Sequence, residues 1–467
     1  MFKYKISIIT NRSTTYQSYI IYRGIKFGLK PFNKEKTKNM KIVNNKQEAF
    51  QELQRISNRT NLENNTNINL IVEEILRDVK TNGDIAVEKY TKKFDGFNPK
   101  PMQIRANDLK DAWNEIDSNL KCALEVAHKR IKKFHEKEIP SSFTIKGQHG
   151  DTVQRRWRPV KNAGIYIPGG RAAYPSTVLM NAIPATVAGV EEIIMVSPGN
   201  TEGMINKTVL AAAYLSGIKK VFRIGGAQAI GALAFGTKQI DKVDVISGPG
   251  NIYVTTAKKL IYGSTGIDSL AGPSEILIIA DETAKSTHIA SDLLAQAEHD
   301  PLASSILLTT SKEQAEEVLK DVYKKIDDHP RKEICMESIK NWGLIVICEN
   351  HESCIELSNN FAPEHLEILA FDPKKILEGI ENAGAIFLGK WTPEAVGDYL
   401  AGPNHTLPTS GNSRFSGSLG VETFMKNTSI IEFSEESLKV NSLDIINLAK
   451  SEGLHSHANS VAIRFKD

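Results

Sequence analysis

AGIYIPGGRAAYPSTVLMNAIPATVAGVEEIIMVS, Ala163 to Ser197, is the stretch whose reading decides the fold. It opens with a short apolar run, AGIYIP, that stops at a Pro-Gly-Gly turn. STVLMNAIPATVAG follows with the apolar spacing of a helix, and EEIIMVS supplies a second apolar run. Strand, helix, strand in one stretch is the signature of a parallel crossover, because two parallel strands cannot be joined by a tight turn. The same alternation continues outward. KKVFRIG, KVDVISG, EILIIAD, SSILLTT, GLIVICE and AIFLG read as strands, and NKTVLAAAYLSG, AQAIGALAFG and KEQAEEVLKDVYKKI as the helices between them. The chain is therefore expected to be α/β, with parallel sheets covered by helices, and eight strands suggest two such domains.

Upstream, residues 46–140 read as mainly helical, from QEAFQELQRI to the long run ending in KRIKKFHEKEI. After Gly389 the chain turns loop-rich, and a small terminal unit ends in SLDIINLAKSEGL and HSHANSVAIR. The formal net charge of +3 is unevenly placed: residues 1–39 hold nine Lys/Arg and one acid, Glu35, for +8, which leaves −5 for the rest. No basic stripe suited to nucleic acid is present in that body. Four cysteines (Cys122, Cys335, Cys348, Cys354) lack C-x-x-C spacing and fit a reducing compartment. No apolar run reaches the roughly 18–20 residues of a membrane span. The Lys/Arg/Ser-rich start reads either as an organelle transit peptide or as a disordered or untranslated stretch ahead of a start at Met40, the second being preferred.

Several chemistries are excluded by their motifs: there is no H-E-x-x-H, no G-x-x-x-x-G-K-[ST] and no G-x-S-x-G. Polar constellations remain. LLAQAEHD, Leu293 to Asp300, ends a helix expected to start near Thr287 or His288 and sets Gln296 and His299 three apart, on one helical face. By itself the pair reads as a solvated helix end; as half of a metal site it needs partners from elsewhere. FAPEHLE sets Glu364 beside His365 in a turn or first helical turn, a carboxylate to activate water beside an imidazole that takes a proton near neutral pH. VGDYLAGPNH carries Asp398 and His405 on a loop, and SEGLHSHA carries Glu452 and His457 near the C-terminus. FRIGGAQAIGALAFG and SGPGN are Gly-rich turns after neighbouring strands. Each is either an ordinary tight turn or a helix N-terminus offered to a pyrophosphate, and together they favour a ligand crevice at the strands' C-terminal ends.

The runs GIYIPGGRAAYPSTVLMNAIPA, GGAQAIGALAFGT, SGPGNIYV, AGPSEILIIAD, SDLLAQAEHD, FAPEHLE, GDYLAGPNHTLPT and EGLHSHANSVAIR, in this order, resemble the histidinol dehydrogenase family over about residues 45–464. The resemblance implies a zinc-dependent, NAD-using homodimer that oxidises L-histidinol through L-histidinal to L-histidine, with two NAD per turnover. It implies Gln296, His299, Asp398 and His457 as zinc ligands, with the metal holding substrate. His365 is then the base for the alcohol proton and Glu364 the activator of water. Ser274, Gln296, His299, His365, Asp398, Glu452 and His457 would contact substrate, and Tyr166, Gln228 and Asn251 would contact NAD. The implied fold has two intertwined, incomplete Rossmann-like domains, one from 61–165 and 274–419, the other from 166–273. A helical N-terminal unit spans 40–60, and a C-terminal unit, 420–467, crosses to the partner subunit. Residues 1–39 lie outside the pattern, so the cytoplasm is expected, with an organelle stroma as the alternative. Two other classes share features with the chain. A zinc hydrolase needs an open position for water and no paired glycine turns; a dead nucleotide-binding or scaffold protein would lose the polar pockets, whereas every matched catalytic and ligand position is filled here.

Overall fold

The computed structural model describes residues 19–22, 25–28, 40–59, 66–169 and 173–466. Most of the basic N-terminal stretch, with the expectations attached to it, lies outside them; within it, Tyr19–Tyr22 pairs antiparallel with Ile25–Gly28.

Two all-parallel sheets carry the fold. One has five strands in the order 266–267, 245–247, 162–166, 192–196, 220–222. The other has six, in the order 385–388, 365–369, 275–280, 304–309, 343–347, 41–43. The central strands of the larger sheet, Glu275–Ala280 and Ser304–Thr309, are buried at every position, as a parallel strand covered on both faces must be. Helices 66–82, 84–94, 106–115 and 118–135 form as expected and pack on the helices of the five-stranded sheet, where Val72, Val79, Leu109 and Ile131 join its two apolar cores.

The structure departs from the expectation in three main places. Lys41–Val43 falls in the stretch read as a helical unit and is instead the edge strand beside Gly343–Ile347. Met40 is buried, and its amide donates to the Tyr323 hydroxyl at 2.6 Å. Thr152–Pro159 pairs antiparallel with Phe143–Lys146 and with Met425–Glu432, making a third, three-stranded sheet. These strands are polar and half exposed, so their pattern resembles that of loops. The third is His365–Leu369. FAPEHLE does not start a helix: helix His351–Phe361 ends at Ala362, left-handed at φ +53, and the chain then extends, with all five residues of HLEIL buried. Pro363 closes the preceding helix rather than opening a new one.

Helices Glu435–Ser451 and His455–Ala462 pack on each other and reach the 143–159 hairpin through Ser437 on Asp151 at 3.0 Å. The longer one leaves Val440, Leu443 and Leu448 exposed, the last two at 66%. No helix among the described residues is long and apolar enough to cross a membrane.

Candidate active site

Glu364 and His365 stand at the amino-terminal edge of the six-stranded sheet, directly before and at the start of strand 365–369. Neighbouring strand 275–280 runs in register with it, Ile276 opposite His365, so the residue before each strand shares that edge. Both side chains are tied to the backbone of one residue, Glu275. The Glu275 N–H donates to Glu364 Oε2 at 2.8 Å, and the Glu275 carbonyl lies 3.0 Å from His365 Nδ1. A carbonyl only accepts, so Nδ1 carries the proton and Nε2 keeps its lone pair. Among the described residues Nε2 has no hydrogen-bond partner, although it is buried; Asp398 Oδ1 lies 3.9 Å away. Burial holds the imidazole below its ordinary range, and with it the neutral, proton-accepting form. Burial, and next the Glu275 charge, pushes Glu364 well up, with Arg59 opposing.

Helix Ser286–Ala297 delivers Gln296 and His299 to this edge, but not on one face. The helix ends at Ala297, and His299 lies past the cap, its N–H on the Gln296 carbonyl at 3.2 Å. Gln296 is fully buried rather than looking out to solvent. Asp398 is not on a loop but in the short helix Glu394–Tyr399. His299, Glu394 and Asp398 bring one ligand atom each within 4.8 Å of one another. Glu394 was missed by the sequence reading, where an acid after Pro393 passes for an ordinary helix start. The spacing of Glu394 and Asp398, four apart on one helical face, was the available signal.

A cation fits this group by its donor chemistry. Glu275, Glu364, Glu394 and Asp398 lie close enough for their charges to act on one another, Arg59 pairs with Glu275 alone among them, and burial, then Asp398, raises Glu394 well above the carboxylate range. Positive charge is what such a cluster lacks. The Gln296 amide can face it either way. With nitrogen toward Glu394 it donates to both carboxylate oxygens, Oε2 at 2.9 Å, and its own oxygen accepts from the Glu275 N–H at 3.0 Å. With oxygen toward Glu394 it faces only acceptors, an arrangement satisfied by a cation between them. His405, its Nδ1 3.0 Å from the Asp398 carbonyl, closes the far side. Beside His365, Asp398 and His405 lies a cavity of about 250 Å³ walled by Phe387 and Val396. Ser274 precedes strand 275–280, its carbonyl taking the Ser304 N–H at 3.0 Å. Glu452 and His457 are not brought here. Both are exposed on the C-terminal helices, and His457 is no part of the cation group.

The residues expected at the cofactor sit on the other sheet, at its carboxyl-terminal edge, where open parallel sheets take ligands. Tyr166 ends strand 162–166, and its hydroxyl accepts from the Gly226 N–H at 3.2 Å. Burial pushes that hydroxyl up to about 12, so its own proton stays available for donation. Gln228, in the first turn of helix 226–235, is buried with neither amide atom hydrogen-bonded among the described residues, as a side chain awaiting a ligand would be. Asn251 caps helix 252–261, accepting from Tyr253 and Val254 N–H at 3.0 and 3.2 Å. Between them Gly248 is held at both ends by a buried ion pair. Asp268 accepts its N–H at 2.9 Å, Lys258 donates to its carbonyl at 3.0 Å, and the two side chains bond each other. Gly248 has φ +111, and a Cβ there would lie 2.1 Å from the Tyr166 carbonyl oxygen. Gly248→Ala is therefore expected to lose on the order of 2–4 kcal/mol of stability in denaturant unfolding and to raise the KM for a dinucleotide. Wild-type stability in that variant would show that the turn yields.

A buried acid–base pair beside a cation cluster, on parallel sheets with an open second edge, is the equipment of an enzyme, and its relatives are oxidoreductases. The histidinol dehydrogenase family profile matches residues 58–465. A histidinol dehydrogenase of Prochlorococcus marinus (strain MIT 9312) is 88% identical over 440 residues, 94% of this chain and 100% of that one. A second, from Prochlorococcus marinus subsp. pastoris, is 80% identical over 92% of this chain and 100% of its own length. The crystal structure of histidinol dehydrogenase from Elizabethkingia anophelis superposes with a TM-score of 0.85 at 35% identity, covering 91% of this chain and 98% of that one. The chain belongs to the histidinol dehydrogenase family.

Proposed function

We propose that the chain oxidises L-histidinol to L-histidine by way of L-histidinal, a four-electron oxidation that uses two NAD and ends L-histidine biosynthesis. The observation that carries this reading is the shared backbone of Glu275, whose carbonyl leaves His365 Nε2 as a free, neutral base and whose N–H turns the Glu364 carboxyl to the same edge. An alcohol must lose one hydroxyl proton as hydride departs from its carbon, and His365 Nε2 takes that proton. An aldehyde has no such proton and must first add water. Glu364 takes a proton from the water as its oxygen bonds to the aldehyde carbon, and the hydrated carbon then gives up the second hydride. NAD, held by Tyr166, Gln228 and Asn251, supplies the hydride acceptor when bound.

His299, Asp398 and Gln296 would hold a zinc ion, with Glu394 against the same group and His457 arriving from a partner subunit. When bound, the metal supplies a positive charge that anchors the substrate's imidazole and amino nitrogens and offsets the surrounding carboxylates. Ser274, His365, Asp398 and Glu452 complete the substrate contacts. Supporting a homodimer with shared sites, Glu452 and His457 lie exposed on the C-terminal helices, the longer of which also leaves Val440, Leu443 and Leu448 exposed. The close relatives are bacterial, which supports a cytoplasmic enzyme over an organelle stroma.

Absorbance of reduced nicotinamide with histidinol as substrate tests the reading: two NADH per histidine formed are expected, and a single NADH with accumulating aldehyde would overturn the four-electron assignment. Exhaustive chelation is expected to abolish activity and added Zn²⁺ to restore it. His299→Asn is expected to weaken zinc retention measured by elemental analysis. A metal-free protein with full activity would remove the zinc assignment.

A further inference from the structure

The reacting pair hangs on Glu275, and Glu275 hangs on an arginine from a different part of the chain. Arg59 lies just beyond helix Lys46–Ser57, in the N-terminal segment that carries none of the site residues expected from the sequence. Its guanidinium is completely buried, as is the Glu275 carboxylate it pairs with. All five of its N–H bonds are engaged. Nε donates to the Leu302 carbonyl at 2.7 Å; Nη1 donates to the Ile56 carbonyl at 2.8 Å and to Glu275 Oε1 at 2.9 Å. Nη2 donates to the Pro273 carbonyl at 2.9 Å and the Ser274 carbonyl at 3.3 Å. Three consecutive residues, Pro273, Ser274 and Glu275, are thus gripped by one planar fork. The other Glu275 oxygen takes the Ser410 N–H at 3.3 Å, from the loop that follows His405.

We propose that Arg59 is a positioning residue for the reaction: by fixing the 273–275 segment it sets the Glu275 N–H and carbonyl that orient Glu364 and His365. The proposal rests on the acid–base roles given above. Its logic is geometric. A buried ion pair adds little net stability over an apolar pair of the same shape, but here its fork also holds four backbone carbonyls, those of Pro273 and Ser274 among them. A shift of the Glu275 backbone would loosen the bond to Glu364 and the bond to His365 together, and the Ser274 carbonyl that Arg59 holds lies in the same peptide as the Glu275 N–H. Such a shift would also displace Ser274. A lysine ammonium can neutralise Glu275, yet as a point charge it cannot span the carbonyls of Pro273 and Ser274 as well.

The test compares Arg59→Met, Arg59→Lys and Arg59→Ala in the full-length, zinc-loaded enzyme. Arg59→Met is expected to lower kcat with either histidinol or histidinal on the order of 10–100-fold, the scale of a 1 Å misplacement of reacting groups, while the KM for NAD stays unchanged. Arg59→Lys should fall between it and wild type. Millimolar guanidinium should restore a measurable part of the kcat of Arg59→Ala and none of that of Glu364→Gln, which keeps the test alive where Arg59→Met folds poorly. Wild-type kcat in both Arg59→Met and Arg59→Lys would overturn the proposal, as would a loss in Arg59→Ala that guanidinium leaves untouched. The underlying acid–base reading fails separately, when Glu364→Gln and His365→Asn keep full activity.

Discussion

His365→Asn slows the oxidation of histidinol by about 10²–10⁴-fold, the range for loss of a general base, and slows the oxidation of supplied histidinal less. Asparagine keeps a donor for the Glu275 carbonyl, so the local strand is undisturbed and the missing group is the basic nitrogen. Glu364→Gln does the reverse. Its amide keeps an oxygen for the Glu275 N–H, but it cannot take a proton from water, so histidinal oxidation suffers more than histidinol oxidation. Single-turnover measurements of nicotinamide reduction with each substrate separate the two steps. Equal losses in both steps for both variants would show that the two residues act as one unit rather than in turn. A Glu364→Gln enzyme that oxidises histidinal at the wild-type rate would remove the water-activating role.

The second large effect is a recovery. His299→Asn and His457→Asn are each expected to be nearly inactive, and a mixture that exchanges subunits should regain about a quarter of wild-type activity. In a mixed dimer one site receives intact His299 from one chain and intact His457 from the other, and the second site receives both lesions. Random exchange makes about half the dimers mixed, and about half of their sites work. The expectation follows from the separation of the two histidines within one chain: His299 at the buried edge of the larger sheet, His457 exposed on a C-terminal helix. A mixture that exchanges subunits and stays inactive would confine each site to a single chain.

The parallel sheets were legible because their strands are short apolar runs separated by helical periodicity, and every one of the eight strands read from the sequence is present. The missed strands failed for physical reasons. HLEIL carries a histidine and a glutamate in a strand buried at every position, so its polarity hid its burial. Thr152–Pro159 and Met425–Glu432 are polar, and their partnership spans most of the chain. Within the site, the residue types of Gln296, His299, Glu364, His365 and Asp398 were visible, and the structure gathers them at one edge. Glu394 and Arg59 were not, since an acid at a helix start and a base beyond a helix end are ordinary placements. The amide anchors were beyond reach as well: a backbone N–H and C=O leave no letter in a sequence.

The edge strand Lys41–Val43 has a consequence for synthesis. It precedes its partner, Gly343–Ile347, by about 300 residues. The five-stranded sheet, by contrast, is complete once Ile267 has emerged. During translation the inner unit can close on its own while the first strand of the outer sheet waits, together with Arg59, for a surface that does not yet exist. Refolding of the whole chain should therefore be slowed by this pairing and by that of Thr152–Pro159 with Met425–Glu432. Splitting the gene between the two sheets would strand the amino-terminal piece of the outer one on the wrong fragment.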